Sequence, residues 1–293
     1  MTTLLQVIIY GIAVGAVYGL VALGFVLVFK TCGAFNVAQG ELLMVLAFIC
    51  MSLTTQFNLP FYLAVLITLV VAVLLGFIIE RLLLRPMVNQ PLMAILMMTM
   101  GLALVIKSVS LLVWSYHAYR FPVWLPKGEL QLGGLALSWD YVASFLIVAV
   151  VLIAFGIYFR YARFALAMRS VGEDQVVSQI MGIKISTVYG MAWALSLVVA
   201  AIGGIVLGTL TSVNSTLSIF GLFVIPVIII GGLTSIPGAI VGGIIVGVTE
   251  KIVAMYLGTA LPGFASIAPY VLLLAILYIR PAGLWGEKHI ERI

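Results

Sequence analysis

The sequence predicts an all-α protein, a polytopic transmembrane bundle of about 8–9 helices in which some helices are short or broken. Hydrophobic residues make up 65% of the 293-residue chain and charged residues only 8%, which leaves too little polar surface for a soluble domain. Runs such as residues 63–79 are apolar on every face, and about 20 such residues in a helix cross a hydrocarbon core of about 30 Å. The strands of a membrane barrel would alternate instead.

Polar breaks divide the chain into nine candidate spans, which we treat as a single transmembrane domain over residues 1–293. They lie at 4–29, 33–55, 60–80, 91–114, 140–160, 187–210, 219–232, 238–257 and 266–280. The seventh span is too short to cross a bilayer alone. It therefore predicts a broken helix that depends on its neighbours.

Lysine and arginine residues are scattered between the spans, so the net charge of +5 indicates membrane orientation and predicts no nucleic-acid partner. Basic residues concentrate in the cytoplasmic loops of membrane proteins. We therefore expect the following residues on the cytoplasmic side: Arg81, Arg85, Arg160, Arg163, Arg169, Lys184, Arg280, Lys288 and Arg292. Counting spans back from Arg81 places the N-terminus outside.

The longest cytoplasmic loop, residues 161–186, is polar for this chain and predicts one or two short helices. Gly172 precedes Glu173 and Asp174, and acidic groups favour the first turn of a helix. An apolar stripe would follow, formed by Val176, Val177, Ile180, Met181 and Ile183. Two interpretations stay open: the stripe rests on the membrane or on its own bundle, or it docks a cytoplasmic partner protein.

The residues predict neither catalysis nor a metal site in this chain. No phosphate-binding G-x-x-x-x-G-K-[ST] motif is present, so nothing in the sequence cradles ATP. The two histidines, His117 and His289, stand apart from any cluster with metal-ligand spacing.

Two stretches interrupt the apolar pattern with residues that break helices, NVAQGE at 36–41 and GGLTSIPGAIVGG at 231–243. Irregular backbone at membrane depth is tolerated inside protein or along a wet cavity, and paired broken segments indicate a transport pathway. The predicted pathway residues are Asn36, Gln39, Glu41, Gly231, Gly232, Ser235 and Pro237. For the second stretch an equally weighted alternative is a tight cytoplasmic turn whose glycines allow close packing.

Four ordered motifs carry a family resemblance over essentially the whole chain: FNVAQGELLMV, RFALAMRSVGEDQVVSQIMGI, GGLTSIPGAIVGGIIVGVTE and YIRPAGLWG. They resemble the LivH-type permeases of branched-chain amino acid ABC importers. The resemblance implies a multi-pass permease of the bacterial inner membrane that is not an enzyme and binds no cofactor itself. ATP and Mg would be bound by two partner ABC ATPases.

The same resemblance implies two further protein partners, a LivM-like second permease and a periplasmic substrate-binding protein, in addition to the membrane lipid. It also implies that the 161–186 loop is the coupling element that meets the ATPases. The residues of that loop assigned to coupling are Arg163, Arg169, Gly172, Glu173, Asp174, Ile180 and Gly182.

The expected solute is a branched-chain or other hydrophobic amino acid, or a related small polar compound. The chain departs from the family pattern at four positions. Relatives usually have His in place of Gln39, Gly in place of Ala165 and Gly in place of Thr234. Many relatives have Lys near the position of Phe223. Transport of urea, short amides or aromatic acids, which the wider family also moves, therefore stays open. So do two different classes of protein, a passive channel and an ion-coupled carrier, for which Glu41 and Glu250 are the acidic candidates.

Overall fold

The computed structural model describes residues 2–87, 90–122, 128–132, 135–258, 260–261, 263–280 and 283–286. Within these ranges the chain forms eleven α-helices and one two-stranded sheet. The helices are α1 Thr2–Cys32, α2 Gln39–Thr55, α3 Phe61–Ile79, α4 Leu92–Trp114, α5 Trp139–Tyr161, α6 Arg163–Glu173, α7 Gln175–Ile180, α8 Ile185–Leu210, α9 Phe220–Gly231, α10 Ile236–Leu257 and α11 Phe264–Ile279. His289, Lys288 and Arg292 lie outside the described residues.

The prediction of a polytopic helical bundle with some short helices is confirmed. Within the described ranges six helices, α1, α3, α4, α5, α8 and α10, are long and apolar enough to cross a membrane. Three shorter apolar segments lie at Gln39–Thr55, Ser215–Gly231 and Phe264–Ile279. The short segments supply the broken helices of the bundle.

The centre of the bundle is formed by α1, which packs along α10 and α8. Small residues bring α1 and α10 into backbone contact, because a Cβ added at Gly15 would lie 2.6 Å from the carbonyl oxygen of Gly243. Close approach of this kind is how membrane helices gain van der Waals contact. In contrast, α3, α4 and α5 bury few of their side chains, so these helices lie at the outside of the bundle.

Basic residues gather at one end of the bundle, which we call the basic end and define by Lys30, Arg85, Arg169 and Lys184. Lys30 and Arg169 line one narrow gap together with Ile236 at the start of α10. Arg85 and Lys184 line a cavity next to α7. Helices α1 and α5 therefore end at the basic end, whereas α8 and α10 begin there.

A small β-hairpin at the opposite end was not predicted. Strands β1, Glu129–Leu132, and β2, Leu135–Ser138, pair in antiparallel register with Leu130 opposite Leu137. The hairpin docks on α1, where the Gln6 side chain donates a hydrogen bond of 2.5 Å to the Ala136 carbonyl. The sequence ELQLGGLALS alternates around two glycines, which is a hairpin signal, so this correction to the purely helical prediction was within reach of the sequence.

Candidate functional site

Helix α2 begins inside the bundle and not at its surface. After Cys32 the chain turns back without helical structure until Gln39. The Gln39 side chain packs against α1 at Gly24, where a Cβ added to the glycine would lie 2.9 Å from the Gln39 side-chain nitrogen. Gly24 is eight residues before the end of α1, which corresponds to a depth of about 12 Å at 1.5 Å per residue. The first turn of α2 is therefore placed deep inside the membrane region.

A buried hydrogen-bond network holds the start of α2. Asn36 and Gln39 are only 1% and 2% exposed, and the Asn36 side-chain amide donates to the Gln39 side-chain oxygen at 2.9 Å. The same oxygen accepts from the Ser196 hydroxyl of α8 at 3.2 Å, and the Ala38 backbone N–H donates to Asn36 at 3.1 Å. The Gln39 side-chain nitrogen is buried and has no partner.

The non-helical stretch before α2 is fastened to α4 by Thr99. The Thr99 hydroxyl lies 3.2 Å from the Phe35 carbonyl and 3.0 Å from the Leu96 carbonyl of its own helix, so its one proton is shared between these two acceptors. It accepts from the Val37 backbone N–H at 3.4 Å. These bonds satisfy backbone groups that would otherwise be unpaired inside the membrane region, where each costs several kcal/mol.

Helix α9 begins at the same depth and runs in the opposite direction. A 3₁₀ turn, Ser215–Ile219, leads into α9. The backbones of α2 and α9 touch at Gly40 and Gly221, because a Cβ added at Gly40 would lie 2.9 Å from the Gly221 Cα. From there the twelve residues of α9 reach the basic end over about 18 Å. We call this meeting of two helix starts the helix-start junction and define it by Gln39, Gly40, Ser218 and Gly221.

The helix-start junction directs the positive end of the α2 dipole at the membrane interior. The first turn of α2 carries partial positive charge on its backbone N–H groups, whereas the first N–H of α9, that of Phe220, already donates to carbonyls of the 3₁₀ turn. Half-helices that begin near the bilayer midplane bind anionic groups of substrates in this way. The junction can therefore stabilise a carboxylate.

Glu41, in the first turn of α2, lies on the accessible side of the junction. It is half-buried, and the exposed Lys107 of α4 interacts electrostatically with it. Ile219 of the neighbouring 3₁₀ turn is exposed too. The structure thus separates the three predicted residues of the first segment, with Asn36 and Gln39 inside the network and Glu41 facing outward.

The second predicted pathway segment lies at the basic end, about 16 Å from the junction along the axis of α9. Gly232 ends α9 with a φ of 102°, a conformation that glycine adopts readily. The Ser235 hydroxyl then accepts from the Gly238 backbone N–H at 3.1 Å, and Pro237 lies in the first turn of α10. Gly231 packs directly on the backbone of Gly238.

This geometry is that of the tight-turn alternative. The structure does not bring Gly231, Gly232, Ser235 and Pro237 together with Asn36, Gln39 and Glu41. The last described residues of the chain also contact this turn, because the Leu284 backbone N–H donates to the Ile230 carbonyl at 2.8 Å. A pathway role for either segment remains a prediction.

The 161–186 loop forms two helices at the basic end, α6 and α7. The predicted helix start was placed two residues early, because Gly172 and Glu173 end α6 and Asp174 is the N-cap of α7. The Asp174 carboxylate accepts from the Val176 and Val177 backbone N–H groups at 2.8 and 3.0 Å. Such caps satisfy the free donors of a first helical turn.

Helix α6 anchors the loop to the bundle, and α7 projects from it. Gly172 packs on the Lys30 carbonyl at the end of α1. The buried Arg169 side-chain Nε has no hydrogen-bond partner, whereas Arg163 is exposed. After α7 the chain turns at Gly182, whose φ is 84°.

Apolar side chains of α7 point away from the bundle. Val176, Val177, Ile180 and Met181 are 67%, 55%, 80% and 77% exposed, respectively. Ile183, which was predicted to belong to the same stripe, is half-buried. An apolar surface rimmed by charged groups marks a docking site for a partner.

Three polar residues of the site had no distinguishing sequence signal. Thr99, Ser196 and Ser218 are single hydroxyl residues in apolar segments, and each is at most 5% exposed. Lys107 is a charge within the apolar helix α4. Its position beside Glu41 depends on how α4 packs against α2.

Comparisons with known proteins agree with this architecture. The family described as the permease component of branched-chain amino acid transport systems matches residues 7–279. The high-affinity branched-chain amino acid permease protein BraD of Pseudomonas aeruginosa is 26% identical over 99% of this chain and 98% of its own length. The permease protein LivH of Escherichia coli K12 is 25% identical over 99% and 97% of the two chains.

One solved structure shares the fold. PsaBC from Streptococcus pneumoniae in complex with Fab aligns with a TM-score of 0.50 and 14% identity, covering 94% of this chain and 89% of that one. Because the family match spans nearly all of the helical bundle, the chain belongs to the family of branched-chain amino acid transport system permease components.

Proposed function

We propose that this chain is the membrane-spanning subunit of an ATP-driven ABC importer in the bacterial inner membrane. Its substrate would be a branched-chain or other hydrophobic amino acid delivered by a periplasmic binding protein. The observation that carries the proposal is α7, a capped helix that exposes four large apolar side chains at the basic end. The family match supports the same function.

In this proposal the basic end faces the cytoplasm and α7 enters a groove on a partner ATPase. Burying Val176, Ile180 and Met181 would stabilise the complex by the hydrophobic effect. ATP and Mg would be bound by two such ATPases, because the sequence has no phosphate-binding loop. Movement of α7 would be transmitted through α6, which packs on the end of α1 at Gly172.

The substrate would pass the helix-start junction on the side where Glu41 is accessible. An amino acid carries a carboxylate, which the start of α2 favours, and an ammonium group, which Glu41 attracts. Urea and simple amides carry neither charge, so this geometry favours an amino acid over them. The exposed surface of α4 and the half-buried side of α2 beside the junction would be completed by a second, LivM-like permease.

The docking role of α7 is tested by reversing charge at its start. The double substitution Glu173→Lys and Asp174→Lys, in a tagged chain purified in mild detergent, is expected to abolish co-purification of the ATPases and ATP-dependent uptake. Arg120→Glu, a charge reversal at the opposite end, is the control and should retain both. Unchanged ATPase association and unchanged transport in the double variant would refute the docking role.

An ion-coupled carrier predicts a different energy source. Uptake into vesicles that persists after ATP depletion and collapses on addition of an uncoupler would favour the carrier. ATP-driven import predicts the reverse: uptake needs ATP and is insensitive to the uncoupler while ATP is present.

A further inference from the structure

A second cavity with binding chemistry lies at the basic end, outside the helix-start junction. It has a volume of about 620 Å³ and lies between the end of α3, the start of α8 and one side of α7. Pockets that bind small molecules have volumes of about 300–1,000 Å³. The cavity is therefore large enough for a ligand of amino-acid size.

One wall of the cavity carries an accessible carboxylate without a partner, on a residue that is otherwise buried. Glu80, in the π-helical turn that continues α3, is 6% exposed and lines the cavity. Glu80 makes no hydrogen bond and no ion pair with any of the described residues. The one ion pair among the described residues joins Lys251 and Glu250. Arg85 attracts Glu80 electrostatically but does not pair with it, so the carboxylate is available to a cationic group.

The opposite wall has the complementary charge. Lys184 and Ser186 line the cavity at the start of α8, a helix of 26 residues whose N-terminus no side chain caps. The unsatisfied N–H groups of a helix start, together with a lysine, bind anionic groups such as carboxylate or phosphate. A carboxylate on one side and an anion-binding helix start on the other select a molecule with both charges.

We propose that this cavity binds a zwitterion that carries a primary ammonium and an anionic group. The ammonium would contact Glu80, and the anionic group would contact Lys184 and the start of α8. A free amino acid and the head group of phosphatidylethanolamine share this chemistry. The cavity is at the end of the bundle where either would reach it, from the solution or from the adjacent leaflet.

A ligand bound in the cavity would contact α7. Gln175 and Gln179 of α7 form part of its wall, so a ligand held between Glu80 and Lys184 touches the helix that we propose docks the ATPase. This consequence rests on the proposed function above. The binding itself does not, because it concerns only residues of this chain.

The experiment measures binding to the complex as it is purified from its membrane, whatever subunits it contains. In nanodiscs of phosphatidylcholine alone, radiolabelled L-leucine is titrated without the substrate-binding protein. In nanodiscs that also contain phosphatidylethanolamine, native mass spectrometry counts the phosphatidylethanolamine molecules retained. Both measurements are repeated with the near-isosteric Glu80→Gln and with Lys184→Gln.

Arg160→Gln is the matched control, because Arg160 is an exposed charge at the end of α5 that does not line the cavity. Leucine binding weakened at least tenfold in both cavity variants, with the control unchanged, identifies a free amino acid as the ligand. Loss of one retained phosphatidylethanolamine in both variants identifies the lipid.

Either result supports the proposal. Leucine affinity and lipid count that are the same in wild type and both variants would overturn it, as would an equal loss in Arg160→Gln. Since neither readout depends on ATP hydrolysis or transport, failure of the ATP-driven import proposal would leave these outcomes interpretable.

Discussion

Replacing Asp174 with alanine removes the cap of α7 without touching its apolar surface. The Asp174 carboxylate accepts two backbone hydrogen bonds, from Val176 and Val177, and loss of such a cap costs about 0.5–2 kcal/mol. Helix α7 has only six residues, so it depends on this cap more than a long helix would.

The cap loss should appear as weaker ATPase binding. If the ATPase binds α7 only in its helical form, the apparent affinity falls with the helical fraction. A cost of about 1 kcal/mol then weakens binding by up to about fivefold, and a cost of about 2 kcal/mol by up to about thirtyfold, the full factor applying when free α7 is mostly unwound. Binding would be measured by titrating purified ATPase onto the chain in nanodiscs, read out by biolayer interferometry.

Two further variants separate capping from charge. Asp174→Asn keeps a side-chain oxygen that caps equally well and is expected to bind within about twofold of wild type. Glu173→Gln removes a neighbouring charge without removing a cap and should behave in the same way. Alanine and asparagine variants of equal affinity would refute the reasoning, because the cap would then contribute nothing to docking.

Three other predictions concern the bundle. Gly15→Ala should lower the thermal midpoint in detergent, because overpacking of a close helix contact costs about 1–3 kcal/mol, whereas Gly101→Ala, which meets no atom within 4 Å, should be neutral or stabilising. Thr99→Val should destabilise the chain by about 1–3 kcal/mol, because it leaves buried backbone groups unpaired. We expect a lower thermal midpoint in detergent and slower uptake. An unchanged thermal midpoint would contradict the conclusion that Thr99 holds the non-helical stretch before α2. Glu41→Gln should raise the KM of uptake more than it lowers the maximal rate, with Lys107→Gln as its comparison; identical kinetics in wild type and Glu41→Gln would remove Glu41 from the pathway.

The prediction of short and broken helices succeeded because polar and helix-breaking residues are conspicuous in an apolar chain. NVAQGE was expected to lie within a broken span, and the structure shows a helix that starts at Gln39 inside the bundle. The second broken segment was placed correctly along the chain, but it lies apart from the first. Nothing local in GGLTSIP distinguishes a turn at a membrane surface from a break within it, because both need glycine and proline.

Composition and pattern alone determined that this chain is a helical membrane bundle, that basic residues such as Arg85, Arg169 and Lys184 gather at one end and that its polar loop forms short helices. These properties follow from local chemistry: an apolar run must bury its backbone polar groups in a helix, and each charge must reach water.

Only the tertiary structure decided that α2 and α9 start against each other, that Ser196 and Thr99 satisfy the polar groups there, and that Glu80 faces Lys184 across a cavity. The hydrogen bond from Ser196 to Gln39, for example, joins residues 157 positions apart in the chain. Such pairings depend on which helix faces pack together, and that choice is made by the shapes of many small side chains at once.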